Sequence, residues 1–212
     1  DYSIAVKNIM RGIIDQACVL EETALAEPSN RTFEVACFGP AGSFTHQALE
    51  DFFRGRKVNR HHYNTFEEVI TSISDGCMDY AVLPIENSST GGITEVYDLL
   101  RQYDCHIVGE QCVKIEQNLL GCEGATLQSI KTVYSHPQGF KQSKEFFRDY
   151  PHMEQVPFFS TSKSAEEVAE KQDITLGAVA GKAAADLYNL KIIAPAINSN
   201  NNNYTRFIII AK

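Results

Sequence analysis

From Phe33 to the C-terminus, short apolar runs alternate with amphipathic helical patterns, each pair joined by only a few residues. This rhythm constrains the fold more than any other feature. Strand–helix alternation with short connections calls for mainly parallel sheets with helices on both faces. Phe33 to Phe38 reads as a strand, Gly39-Pro40-Ala41-Gly42-Ser43 as a tight turn, and Phe44, Ala48, Leu49, Phe52 and Phe53 as one face of a helix. Residues 58–63 form a weaker strand pattern. Thr65 caps a helix carrying Phe66, Val69, Ile70 and Ile73, which ends at Gly76. Tyr80 to Ile85 is a strand running into Glu86-Asn87-Ser88-Ser89-Thr90-Gly91-Gly92, and Ile93 to Leu100 is the next helix.

Residues 105–115 alternate in an extended pattern, and the chain is expected to cross there into a second unit that repeats the first. Strands are predicted at 132–134, 156–159 and 176–180. Helices are predicted over 137–147, after a cap at Ser162, and over 183–187. The last run, Ile208 to Ile210, is a short buried strand behind an asparagine-rich turn. The expected architecture is α/β: two lobes of about 80 residues each with a cleft between them. The first lobe takes 33–108 and 195–212, the second 109–194.

Residues 1–27 differ in character. Ile4, Ile9, Ile13, Ile14, Ala17, Val19, Leu20 and Leu25 recur at helical spacing, and Glu27-Pro28-Ser29-Asn30 ends the pattern as a linker. A lone helix of this length needs a partner surface. The chain opens at Asp1 without a Met or a signal-peptide pattern, and is expected to be a piece of a longer protein.

A formal charge of −8 and a pI near 5.2 argue against nucleic acid and anionic membrane surfaces as partners. A small anionic ligand stays open, because one local cation outweighs a remote net charge. No apolar run approaches the roughly 18 residues of a membrane span. The six cysteines show no C-x-x-C and no metal-like spacing, and Cys37 and Cys77 read as buried free thiols. His61-His62 has no further ligand at zinc spacing and reads as a solvated strand edge. The cytosol is the default location.

In open α/β sheets, ligands gather where strands lead into helices. Four such loops are rich in glycine, hydroxyl and amide groups: 39–45, 86–92, 135–138 and 160–164. Each alone is ordinary capping and turn chemistry. Four together favour an anionic ligand held by helix-start N–H groups. Dinucleotide, P-loop and nucleophile-elbow patterns are all missing. The final strand opens unusually, with Thr205, Arg206 and Phe207 in a row. Thr205 and Phe207 share one face and Arg206 takes the other, unless a bulge re-aims them.

These motifs carry a resemblance. Phe38-Gly39-Pro40-Ala41-Gly42-Ser43-Phe44-Thr45, Leu83-Pro84-Ile85-Glu86-Asn87-Ser88 with Gly91, Ser135-His136-Pro137-Gln138 with Gln142, and Asn203-x-Thr205-Arg206-Phe207 stand in the order and spacing of the prephenate dehydratase catalytic domain. The chain resembles that family from about Phe33 onward. Its two-lobed form would be similar to type II periplasmic binding proteins. Residues 9–14 are similar to the last helix of an AroQ-type chorismate mutase, and one helix cannot rebuild a mutase site.

The resemblance implies conversion of prephenate to phenylpyruvate, carbon dioxide and water without a cofactor or metal. It assigns catalysis to Thr205, relaying a proton to the leaving hydroxyl. It gives Arg206 to a substrate carboxylate, with bracing between the lobes as its other role, and Phe207 to the site wall. Asn87, Ser88, Ser89, Gly91, Ser135, His136 and Gln138 would supply neutral hydrogen bonds. Ala41, Gly42, Ser43, Phe44, Thr161 and Ser162 would offer helix-start groups.

Fused chorismate mutase and phenylalanine-binding ACT domains are implied for the full-length protein, although nothing in this chain resembles an ACT domain. A homodimer is common in the family. The family often has an acid after the Ile that precedes the N-x-T-R-F motif, whereas Asn198 follows Ile197 here. The competing readings are an arogenate dehydratase and a non-catalytic two-lobed anion-binding protein.

Overall fold

The computed structural model describes residues 31–212. The helix expected over residues 1–27 lies outside the described residues. Phe33–Lys212 forms one unit built on two sheets. The first contains β1 (Phe33–Phe38), β2 (Val58–Tyr63), β3 (Tyr80–Asn87), the two-residue β4 (Gly91–Gly92) hung on β3, β5 (His106–Lys114), and the last strand, β11 (Tyr204–Ala211). Their order is β2-β1-β3-β11-β5. The second contains β6 (Asn118–Gly121), β7 (Thr132–Ser135), β8 (Glu154–Pro157), β9 (Leu176–Ala180) and β10 (Lys191–Ala194), in the order β10-β6-β9-β7-β8.

The sheets are mixed rather than mainly parallel. β1 runs parallel to β2 and β3, and β7 parallel to β8 and β9. β11 returns from the second lobe and inserts between β3 and β5, antiparallel to both. β6 likewise runs against β9 and β10. The last strand lies in the first lobe, where 195–212 were expected, but alternation of strand and helix could not reveal that it inserts antiparallel between two of that lobe's strands. Nor did it mark β6 or β10.

β11 is central, so both its faces are apolar. Phe207 and Ile209 pack with Val35, Cys37, Val82 and Val113 beneath α1 (Phe44–Phe52). Ile208 and Ile210 face Val69, Ile70 and Ile73 of α2 (Phe66–Ser74) and Val96 of α3 (Thr94–Gln102). Full burial of such side chains is worth about 1.5–3 kcal/mol each. Burial also pushes the Cys37 thiol up to about 12, leaving it neutral and unreactive. Cys77, by contrast, is exposed, because it follows the turn that ends α2.

In the second lobe, the helix expected over 137–147 breaks at Ser143 into α4 (Pro137–Gln142) and α5 (Lys144–Asp149). The helix assigned to a Ser162 cap is α6 (Thr161–Lys171). Ser160 caps it, accepting from the Lys163 N–H at 3.1 Å. A short α7 (Lys182–Leu187) follows β9. The small residues of β9 let neighbours close in: a Cβ on Gly177 would lie 3.1 Å from Ile130.

Two segments cross between the sheets side by side. Ile115 N–H donates to Asn203 O at 2.8 Å, and Ile197 N–H to Gln117 O at 2.8 Å. All of β5 belongs to the first sheet, so the crossing begins after Lys114 and not at residue 109. Asn198 ties the two crossings: its Oδ1 accepts from Gln117 N–H at 2.6 Å, and its Nδ2 donates to Ile115 O at 3.1 Å. A carboxylate has no hydrogen to donate, so the amide performs a bridging role that an acid at this position cannot.

Thr65 shows the local logic of the helices. Its hydroxyl accepts from Glu68 N–H at 3.1 Å, while the Glu68 carboxylate accepts from Thr65 N–H at 3.1 Å. Thr65→Ala should cost about 1 kcal/mol and lower the melting temperature by about 2–4 °C, read by thermal denaturation followed by circular dichroism.

Candidate active site

Between the two sheets lies a cavity of about 920 Å³. Its walls are mostly apolar: Phe38, Phe44, Pro84, Ile93 and Phe207 on the first lobe, Ile115 on the crossing, and Phe158 and Phe159 on the second. Its polar groups include Asn87, Thr90, Gln117, His136, Gln138, Gln142 and Thr205. This is the usual composition of a small-molecule site, a greasy chamber with a few placed hydrogen-bonding groups.

Thr205 sits at the start of β11, directly opposite Asn87 at the end of β3. The register slips by one residue at Ile85 of β3, so β11 keeps its alternation and Thr205 and Phe207 both face the cavity. Asn87 is the hub. Its Oδ1 accepts from Ser89 N–H at 2.9 Å and Thr90 N–H at 3.2 Å, which fixes the amide's orientation. Its Nδ2 then donates to Thr205 Oγ1 at 2.8 Å, Asn203 Oδ1 at 2.8 Å and Tyr204 O at 3.2 Å. The Thr205 oxygen is thus an acceptor toward Asn87, and its own hydrogen is left to donate. Thr205 is only 7 % exposed, so that donor meets the cavity and not bulk water.

The other residues assigned from the sequence divide. Ser43, Phe44, Asn87, His136, Gln138, Thr161, Thr205 and Phe207 line the cavity; Ala41, Gly42, Ser88, Ser89, Gly91, Ser135, Ser162 and Arg206 do not. Arg206 is the clearest departure. Strand alternation puts it on the opposite face, where it pairs with Glu86 at 2.8 Å and Glu110 at 3.8 Å. Both acids sit on strands of its own sheet, so it joins three neighbouring strands within one lobe and does not brace the two lobes.

Ser135 is fully buried and donates to Val179 O at 3.0 Å. Ser88 holds the β11 start, accepting from Tyr204 N–H at 2.9 Å and donating to Asn202 O at 3.0 Å. Ser162 donates across the lobes to Ala41 O. Gly42 lies against the same contact at φ +75°, where a Cβ would come within 2.9 Å of Ser162 Oγ and 3.1 Å of the Ala184 backbone. His136 caps α4, its Nδ1 accepting from Gln138 N–H at 3.1 Å.

Several lining residues were not assigned from the sequence. Gln117 is on a crossing segment without any periodic pattern, and its Nε2 donates to Gln142 Oε1 at 3.1 Å. Lys163 is in a loop already singled out for its hydroxyls; Glu166 pairs with it at 2.5 Å, and that carboxylate raises its pKa. Phe159 stands 88 % exposed, a signal no sequence pattern supplies. Among the described residues, no group of three or more His, Cys, Asp or Glu is placed to hold a metal ion.

Comparison with known proteins places this geometry. The family model for prephenate dehydratase matches residues 35–212. The bifunctional chorismate mutase/prephenate dehydratase of Enterobacter agglomerans is 34% identical over 207 residues, covering 94% of this chain and 52% of the relative. The chain thus spans about half the length of that relative. Among solved structures, a prephenate dehydratase from Arthrobacter aurescens in complex with L-Phe superposes with a TM-score of 0.76 at 27% identity, over 84% of this chain and 60% of that one. GqqA, described as a novel type of quorum quenching acylase, superposes with a TM-score of 0.75 at 29% identity, over 84% of this chain and 64% of that one. On the extent of the family match, the chain belongs to the prephenate dehydratase family.

Proposed function

We propose that the chain converts prephenate to phenylpyruvate. The observation that carries this reading is the Thr205 hydroxyl, which accepts from Asn87 and presents its remaining hydrogen to a largely apolar chamber. The ring carboxylate of prephenate leaves as carbon dioxide. Its bonding pair enters the ring, and the C4 hydroxyl departs as water after gaining a proton. One proton is consumed overall, and aromatisation drives the step. A threonine hydroxyl is a weak acid, so it acts as a relay or strong hydrogen-bond donor as charge builds on the departing oxygen. Against Phe38, Phe44, Ile93 and Phe158 the carboxylate to be lost would meet no stabilising charge, the cavity's one lysine, Lys163, being paired with Glu166.

Thr205 is not placed for the acylase chemistry named for GqqA. Activating a hydroxyl for attack on an acyl group needs a neighbouring base, and the group against Thr205 Oγ1 is an amide N–H. L-Arogenate is a second reading, because its ammonium group would find Glu170 on the same cavity wall. The bifunctional relatives favour prephenate, since a fused mutase domain in the whole protein would hand over its own product. That fusion and a cytoplasmic location are part of the proposal. Among the described residues no helix is long and apolar enough to cross a membrane.

The test offers prephenate and L-arogenate separately and follows phenylpyruvate and phenylalanine. Prephenate turnover exceeding arogenate turnover is expected. The reverse preference would assign arogenate, and binding without turnover of either would make the protein a binding module.

A further inference from the structure

Beside the main cavity, and sharing Thr90, Gln138 and Gln142 with it, is a second pocket of about 340 Å³. It is walled by the asparagine run and by the α4–α5 break, with Lys141, Lys144, Glu145 and Asn203 among its lining residues. Asn203 is 2 % exposed, and its Nδ2 has no hydrogen-bond partner.

The orientation of that amide is fixed by its neighbours. Asn203 Oδ1 accepts from Asn87 Nδ2 at 2.8 Å and from Ser89 Oγ at 3.3 Å. Asn87 cannot turn over, because its own Oδ1 holds two backbone N–H groups. The chain of amides that begins at the loop after β3 therefore ends in a buried donor with nothing to receive it. Buried donors are rarely left so, and the residue that carries this one lines the second pocket.

The charges agree. Lys163 is the single lysine lining the main cavity, and Glu166 already pairs with it. Lys141 and Lys144 have no ion-pair partner among the described residues, and both line the second pocket, where Glu145 is the only carboxylate.

We infer that this second pocket is a carboxylate subsite, in which the Asn203 amide and the Lys141 and Lys144 ammonium groups receive an anionic group of a ligand whose ring lies in the main cavity. The inference rests on the proposed function for the identity of the ring compound, but not for the charge it would read. The carboxylate held here would be the one that survives the reaction, because cations stabilise a carboxylate and oppose its loss as carbon dioxide. The group to be lost would then lie in the apolar chamber.

The test measures binding of phenylpyruvate and of phenylacetone, the same ring and ketone without the carboxylate, by calorimetry. In K141Q/K144Q, phenylpyruvate should bind about fivefold more weakly, the size expected for two solvent-exposed charge contacts. Its affinity should also lose part of its salt dependence, while phenylacetone binding should not change. The KM for prephenate should rise by a similar factor with kcat nearly constant.

Asn203→Asp, which sets a carboxylate where the orphan amide stands, should disfavour phenylpyruvate more than phenylacetone. Equal phenylpyruvate affinity in wild type and K141Q/K144Q would overturn the inference. A parallel loss for phenylacetone would also overturn it, by showing that the pocket shapes the cleft without reading charge. So would failure of the wild type to bind phenylpyruvate. Charge-selective binding in a wild type that does not turn over prephenate would keep the subsite and overturn the dehydratase reading.

Discussion

Thr205→Ala should lower the kcat for prephenate by about 10²–10⁴-fold, the range associated with a positioned proton-transfer group, while the protein melts within about 2 °C of wild type. The two halves of this expectation come from the same hydrogen bonds. Removing Oγ1 deletes the donor that faces the cavity, and no other hydroxyl occupies its place opposite Asn87. Asn87 Nδ2, however, keeps Asn203 Oδ1 and Tyr204 O as acceptors, so no buried group is orphaned and the usual penalty is avoided. Thr205→Ser keeps a hydroxyl on the same carbon but frees its rotation, and should recover activity to within about tenfold of wild type. Stopped assays of phenylpyruvate with a thermal melt of each variant give both readings. Near-normal turnover by the alanine variant would remove Thr205 from the chemistry altogether.

The residues whose position follows from local pattern were legible in the sequence. Thr205 and Phe207 had to share a face, and the β3 loop had to carry its hydroxyl and amide groups to a strand end. Arg206 shows where that legibility stopped. Alternation alone set it apart from its neighbours, but its partners depend on which strands flank β11. Glu86 and Glu110 are brought beside it only because the returning strand inserts between β3 and β5, some 120 residues after Glu86 in one case. The same non-local pairing accounts for the mixed sheets and for the extent of β5.

Gln117, and the bridging role of Asn198, were not legible for a related reason. They lie on the two crossing segments, where no periodic apolar pattern marks a position as structural or exposed, and their roles exist only once the segments run side by side. Lys163 illustrates the opposite case. Its loop is marked by hydroxyls and helix-start N–H groups, and a single lysine among them carries no pattern of its own.

Phe207→Ala should be the most destabilising single change on the cavity-facing side of β11, two residues from a substitution expected to be nearly silent in stability. Phe207 is 2 % exposed and packs with Val35, Leu49, Val82, Val113 and Ile209, so its removal takes a ring out of the first lobe's core. Phe→Ala changes in cores cost about 3–5 kcal/mol. For a unit of this size that corresponds to a fall of roughly 6–20 °C in melting temperature. The lower half of that range is the better expectation, because the ring also forms part of the cavity wall and water can enter the space it leaves. Phe207→Leu restores most of the volume and should recover most of the loss. Turnover by Phe207→Ala, measured at least 15 °C below its own melting temperature, should fall less than in Thr205→Ala, since the ring shapes the chamber but moves no proton. A melting temperature within about 3 °C of wild type would show that Phe207 is not part of the core, and the facing assigned to the whole strand, Thr205 included, would fall with it.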